Sequence, residues 1–184
     1  MCAIAIGFRA MWTYEMTPGE ETSAPVDWPD SSVIPCSSTH ATLLFFAHPH
    51  CPCTQASLSE LSVLLSSVYG QLDTYVLFLT PTAQERMWAD TDLKHSASTM
   101  PGVQIVEDTD GREARLFGSA TSGQVLLYDT DGCLRFSGGI TAARGHVGDN
   151  VGRQSLVSLV HTGSAATTHT PVFGCPLFYH NEKE

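Results

Sequence analysis

The chain has 184 residues, 42% hydrophobic and 9% aromatic, which suits one domain with an ordinary core and excludes wholesale disorder. Nine Lys and Arg against nineteen Asp and Glu give a net charge of -10, which argues against nucleic acid or an anionic membrane surface as the main partner. There is no apolar run of about 18 residues, so the sequence holds no full transmembrane helix as written, and its six cysteines are too scattered for a disulfide scaffold.

The chain opens on a short apolar stretch, Met1 to Phe8, with no basic region before it. We expect either an ordinary apolar start or the remnant of a membrane anchor. Residues 17–40 are rich in Pro, Ser, Thr and acids and read as a linker. The apolar run Ala41–Ala47 predicts a strand. Leu58, Leu61, Leu65 and Val68 then recur at spacings of three, four and three, which predicts a helix over 52–69. A second strand is expected at 75–79, a polar helix near 84–97 and a short strand at 103–106. A turn at 108–111 and a short helix ending at Gly118 follow. Residues 124–128 and 133–136, joined by Asp129-Thr130-Asp131-Gly132, predict a hairpin. Ser137-Gly138-Gly139 reads as a Gly-rich loop, 149–161 as a last helix, and 162–184 as a tail whose apolar Val172, Phe173 and Leu177 should dock on the domain. The order predicts an α/β domain over 41–161, with a mixed sheet and helices on both faces.

The most informative stretch is His48-Pro49-His50-Cys51-Pro52-Cys53-Thr54, between the first strand and the first long helix. Cys51 is expected at a helix N-terminus, where unpaired N–H groups and the helix dipole stabilise a thiolate. Pro52 suits the first helical position, since its missing N–H would have no partner there. A Cys-x-Cys disulfide closes a small, strained ring, and strain makes it more oxidising. Residues two apart on a regular helix point about 200° apart, so pairing requires Cys51 to sit before the first regular turn.

A strand running into Cys-Pro at a helix start, with a closing hairpin and a last helix, resembles the thioredoxin fold over residues 40–161. Leu61 lies ten residues after Cys51, as an inner-face Leu does in relatives carrying Cys-Pro-Pro-Cys. The chain is more closely similar to RedB-type thioredoxin-like proteins. That likeness rests on the His-Pro-His-Cys-Pro-Cys-Thr motif, Thr121-Ser122-Gly123, Gly138-Gly139-Ile140-Thr141, Arg144-Gly145-His146 and Val172-Phe173-Gly174-Cys175-Pro176. It implies that Cys51 is the attacking cysteine. Thr54 stands where the usual second cysteine would be, Cys53 is one position early, and Gly123 replaces the proline that precedes the fourth strand in thioredoxins.

The leading expectation is a thiol–disulfide oxidoreductase with Cys51 as nucleophile and Cys53 as resolving thiol. Its substrates are protein or small-molecule thiols and disulfides, it needs no cofactor, and the resemblance implies an extracytoplasmic, periplasmic-side location. His50 is expected to tune Cys51 and Thr54 to hydrogen-bond its thiolate. Ser122 and Gly123 form the adjoining loop, and Arg144 and His146 are candidate anion or substrate contacts. Cys175 is a candidate resolving thiol in the tail. Two further expectations stand beside this one. His48, His50, Cys51 and Cys53 could hold copper or zinc, and Cys51 could reduce peroxides through a sulfenic acid. Cys2, Cys36 and Cys133 have no motif around them.

Overall fold

In the computed structural model, residues 2–84 and 86–178 are described. The last tail residues, 179–184, and the side chain of Cys2 lie outside that description. Five strands form one mixed sheet: β1 (Ala41–Ala47), β2 (Leu72–Thr80), β3 (Val103–Thr109), β4 (Gln124–Tyr128) and β5 (Leu134–Gly139), in the order β3-β2-β1-β4-β5. β1 runs parallel to β2 and β2 parallel to β3, while β4 is antiparallel to both β1 and β5. β1 is the central strand and is buried on both faces, which explains its unbroken apolar run. This is the thioredoxin-like arrangement.

Alternation along β1 sends its side chains to two cores. Leu43, Phe45 and Ala47 meet Leu58, Leu61 and Leu64 of α2 (Pro52–Ser67) and Leu156 and Leu159 of α6 (Val151–Thr162). Leu44 and Phe46 meet Phe117 and Tyr128 on the opposite face, beside Ala114 of α5 (Arg112–Leu116). The α2–α6 pair is locked by a buried carboxylate. Glu60 accepts from Gly148 N at 2.7 Å and Asn150 Nδ2 at 3.0 Å, and pairs with Arg153 Nε at 2.8 Å.

The second face departs from the sequence reading. Residues 17–40 do not run free as a linker; they lie across that face as part of its cover. Trp28 packs edge-on against Phe117 and Tyr128, at ring-centroid distances of 5.0 and 5.1 Å. Ile34 is buried, the Tyr128 hydroxyl donates to Pro25 O, and Trp28 N donates to Gly132 O. Polar composition misled here because a few apolar anchors suffice to fix an otherwise polar segment.

The N-terminal stretch forms a helix, α1 (Cys2–Met16), with Ile4, Phe8, Met11 and Trp12 exposed. At 15 residues it is about 22 Å long. Among the described residues, no helix is long and apolar enough to cross a membrane. The polar helix expected near 84–97 is two short ones, α3 (Arg86–Ala89) and α4 (Asp92–Ser98). Ser137-Gly138-Gly139 is not a loop but the end of β5. There the glycines admit the tail's backbone: a Cβ on Gly138 would stand 2.7 Å from Thr170 N, and one on Gly139 2.6 Å from Pro171 O.

Candidate active site

Cys51 is the N-cap of α2, with an extended backbone (φ -85°, ψ 113°) and Pro52 directly after it. It therefore stands before the first regular turn, as pairing with Cys53 requires. The Thr54 N–H donates to Cys51 O at 3.1 Å and starts the helix, while Cys51 N donates to His48 O at 3.1 Å and tightens the entering turn.

The tail brings the third thiol. Ser122 N donates to Cys175 O at 2.8 Å and Leu177 N to Ala120 O at 2.7 Å, so the tail runs as a short strand along the 120–122 loop. Gly174 permits this close approach, since a Cβ there would overlap the Ser122 carbonyl. Cys175 N then donates to Cys51 Sγ at 3.4 Å. The sulfur atoms of Cys51, Cys53 and Cys175 all lie within 4.8 Å of one another. Cys51 is only 1% exposed and Cys53 6%. The docked tail lies against this turn and helps to cover both sulfurs.

A hydrogen-bond chain reaches Cys51 from the other side. His48 N donates to Ser122 Oγ at 2.8 Å, and Ser122 Oγ meets Thr54 Oγ1 at 2.7 Å. With Ser122 donating to Thr54, the Thr54 hydroxyl is free to donate to the Cys51 sulfur. Burial pushes the Cys51 thiol up, but hydrogen bonds from the side chains and backbone N–H groups of Cys175 and Thr54 outweigh it and hold the thiol below its ordinary value. Cys53 moves the other way, raised by burial and by the neighbouring Cys51 charge against the pull of Arg144. Cys175 is pushed up to about 12 by burial and by Cys51, which it serves as a donor. One of three adjacent thiols is thus favoured as the anion.

Arg144 belongs to the site. Its guanidinium acts on Cys53 and Cys175, and it is held by the carbonyls of Thr17 and Gly174 and by the Tyr14 ring, 5.0 Å away. Gly123 adjoins it with φ 91°, donating its N–H to Phe46 O at 2.7 Å. His50 and His146 do not join. The His50 ring reaches Trp88 O at 2.8 Å. His146 is exposed, and among the described residues no contact ties its ring to the thiols. The expected His48, His50, Cys51 and Cys53 metal set is likewise not assembled. His48 Nδ1 accepts the His50 N–H at 3.1 Å, and among the described residues the clustered donors are the three cysteines. Trp88, which packs against both histidine rings, carried no sequence signal. Cys36 and Cys133 are raised thiols outside the cluster.

No protein-family model and no curated protein sequence matches the chain. Solved structures do match its fold. An uncharacterized conserved protein from Geobacillus kaustophilus is 18% identical, with 91% of this chain and 95% of that one covered at a TM-score of 0.65. A hypothetical protein from Sinorhizobium meliloti 1021 is 20% identical, covering 88% and 93% at a TM-score of 0.62. A secreted disulfide oxidoreductase from Mycobacterium tuberculosis is a looser match, 14% identical over 68% of this chain and 82% of that one, with a TM-score of 0.46.

Proposed function

We propose that the protein is a thiol–disulfide oxidoreductase of thioredoxin type, of the RedB kind by its motif set. The observation that supports it best is Cys51 at the α2 N-cap, its thiol held below the ordinary value by the donors of Cys175 and Thr54. In this reading the Cys51 thiolate attacks one sulfur of a substrate disulfide. The substrate S–S bond breaks, the leaving sulfur takes a proton, and a mixed disulfide forms on Cys51. Cys53 then loses its proton and attacks Cys51 Sγ, which releases the second substrate thiol. The substrate gains two electrons and a Cys51–Cys53 disulfide remains; with an oxidising protein and a dithiol substrate, the steps run in reverse.

The docked tail must lift for a bulky disulfide to reach Cys51, because the sulfur is almost wholly covered. Arg144 suits a second role here: beside Cys53 it favours the thiolate that resolves the mixed species. Substrates are protein or small-molecule disulfides, and an oxidising, extracytoplasmic compartment suits the chemistry.

The test is exchange with an aromatic disulfide whose thiol product is coloured. Cys51→Ser should abolish turnover. Cys53→Ser combined with Cys175→Ser, which removes both thiols beside Cys51, should give one mixed disulfide per chain, mapped to Cys51 by mass spectrometry. Full turnover by Cys51→Ser would overturn the assignment.

A further inference from the structure

We propose that Cys51, Cys53 and Cys175 form a three-coordinate site for a soft monovalent cation, copper(I). The three sulfurs lie within 4.8 Å of one another. A metal–sulfur bond of about 2.3 Å places three trigonal sulfurs about 4 Å apart, so less than 1 Å of movement closes the set. Two donors come from the rigid start of α2. The third is held by the backbone bonds Ser122–Cys175 and Leu177–Ala120. The near-complete burial of Cys51 and Cys53 keeps water and competing ligands away.

Donor chemistry selects the ion. Thiolates are soft ligands and favour copper(I) among the common metals. Zinc takes four ligands in closed protein sites, and the described residues offer no fourth donor within the cluster. His48 Nδ1 is engaged by the His50 N–H, and the His50 ring by Trp88 O. Charge also balances locally. Copper(I) with three thiolates carries two negative charges, which Arg144, the Cys175 N–H and the α2 N-terminus face. Binding displaces the protons that the three thiols still carry and moves no electron. It requires only that the cysteines be reduced, so a Cys51–Cys53 disulfide removes two of the three ligands. The site therefore stands whether or not the protein exchanges disulfides with a substrate.

Reduced full-length protein is titrated anaerobically with copper(I) against bathocuproine disulfonate, a coloured copper(I) chelator. One ion per chain should be withheld from the chelator, and X-ray absorption should give three sulfur neighbours and no nitrogen. Cys51→Ser, Cys53→Ser and Cys175→Ser should each weaken binding at least about tenfold, while Cys133→Ser should retain it. Thermal unfolding of each variant checks its fold. Gly174→Ala gives a second route, because it keeps all three cysteines yet forces the tail away from Ser122; it too should weaken binding. Failure to compete with the chelator, full affinity in Cys175→Ser or in Gly174→Ala, or nitrogen in the coordination shell would each overturn the proposal. Exchange activity is assayed separately on metal-free protein, so a loss there leaves this result standing.

Discussion

Gly174→Ala separates the cover over Cys51 from the chemistry beneath it. The new methyl carbon would stand 2.9 Å from the Ser122 carbonyl carbon, overlap its oxygen, and lie 3.3 Å from Thr121 Cγ2. Both chain segments are backbone held by other bonds, so the tail yields. Lifting it breaks the Ser122–Cys175 and Leu177–Ala120 bonds, worth about 1 kcal/mol each. Two kcal/mol shifts the closed-to-open ratio about thirtyfold, since each 1.36 kcal/mol is a factor of ten. If a bulky disulfide reaches Cys51 only when the tail is open, exchange should accelerate by up to about thirtyfold. The same change removes the Cys175 donors from Cys51, so the pH midpoint of its thiolate absorbance should move up. The assay pairs exchange kinetics with that titration and with hydrogen exchange at residues 172–177. A tail shown to be released, with no gain in exchange rate and an unmoved midpoint, would refute the reasoning.

Three other outcomes follow from the packing and the site. Glu60→Gln leaves Arg153 without its buried counter-charge and should cost about 3 kcal/mol, the low end for a buried pair because the Arg153 side chain is 17% exposed; urea unfolding reads it, and a loss below about 1 kcal/mol contradicts the lock. Trp28→Ala should cost about 3 kcal/mol and lower Tm by roughly 6–12 °C, at 2–4 °C per kcal/mol for this size; an unchanged Tm would return residues 17–40 to the status of a linker. His48 is lowered by burial and then by His50, so the unfolded chain binds its proton first as pH falls. That contribution is intact above about pH 6.5 and is lost as pH drops toward the folded value. His48→Asn, which keeps an acceptor for the His50 N–H, should flatten that part of the stability curve, and an unchanged acid slope counts against it.

Much of the site was legible because its signals are local. A Cys-Pro step after an apolar run and before a helical repeat is enough to place Cys51 at the N-cap, and Leu58 and Leu61 do face the core. What the sequence hid depends on approaches between distant segments. Gly138, Gly139 and Gly174 look like turn residues, yet each is needed because another backbone passes too close for a side chain. The helix α1 was missed because exposed apolar residues such as Phe8 and Trp12 give no amphipathic stripe. His50 sits one residue from Cys51 in sequence, but the turn aims its ring at Trp88, while Arg144, 93 positions away, comes to the thiols.

In the proposed reaction Cys51 is the thiol that attacks first. The direct measurement is the alkylation rate of each cysteine in the reduced, metal-free protein with iodoacetamide, resolved by peptide mass spectrometry across pH. Cys51 should titrate at the lowest pH of the three clustered thiols, below the free-cysteine value of about 8.5, with Cys53 and Cys175 following at higher pH. A midpoint for Cys51 at or above that of Cys53 would contradict the account.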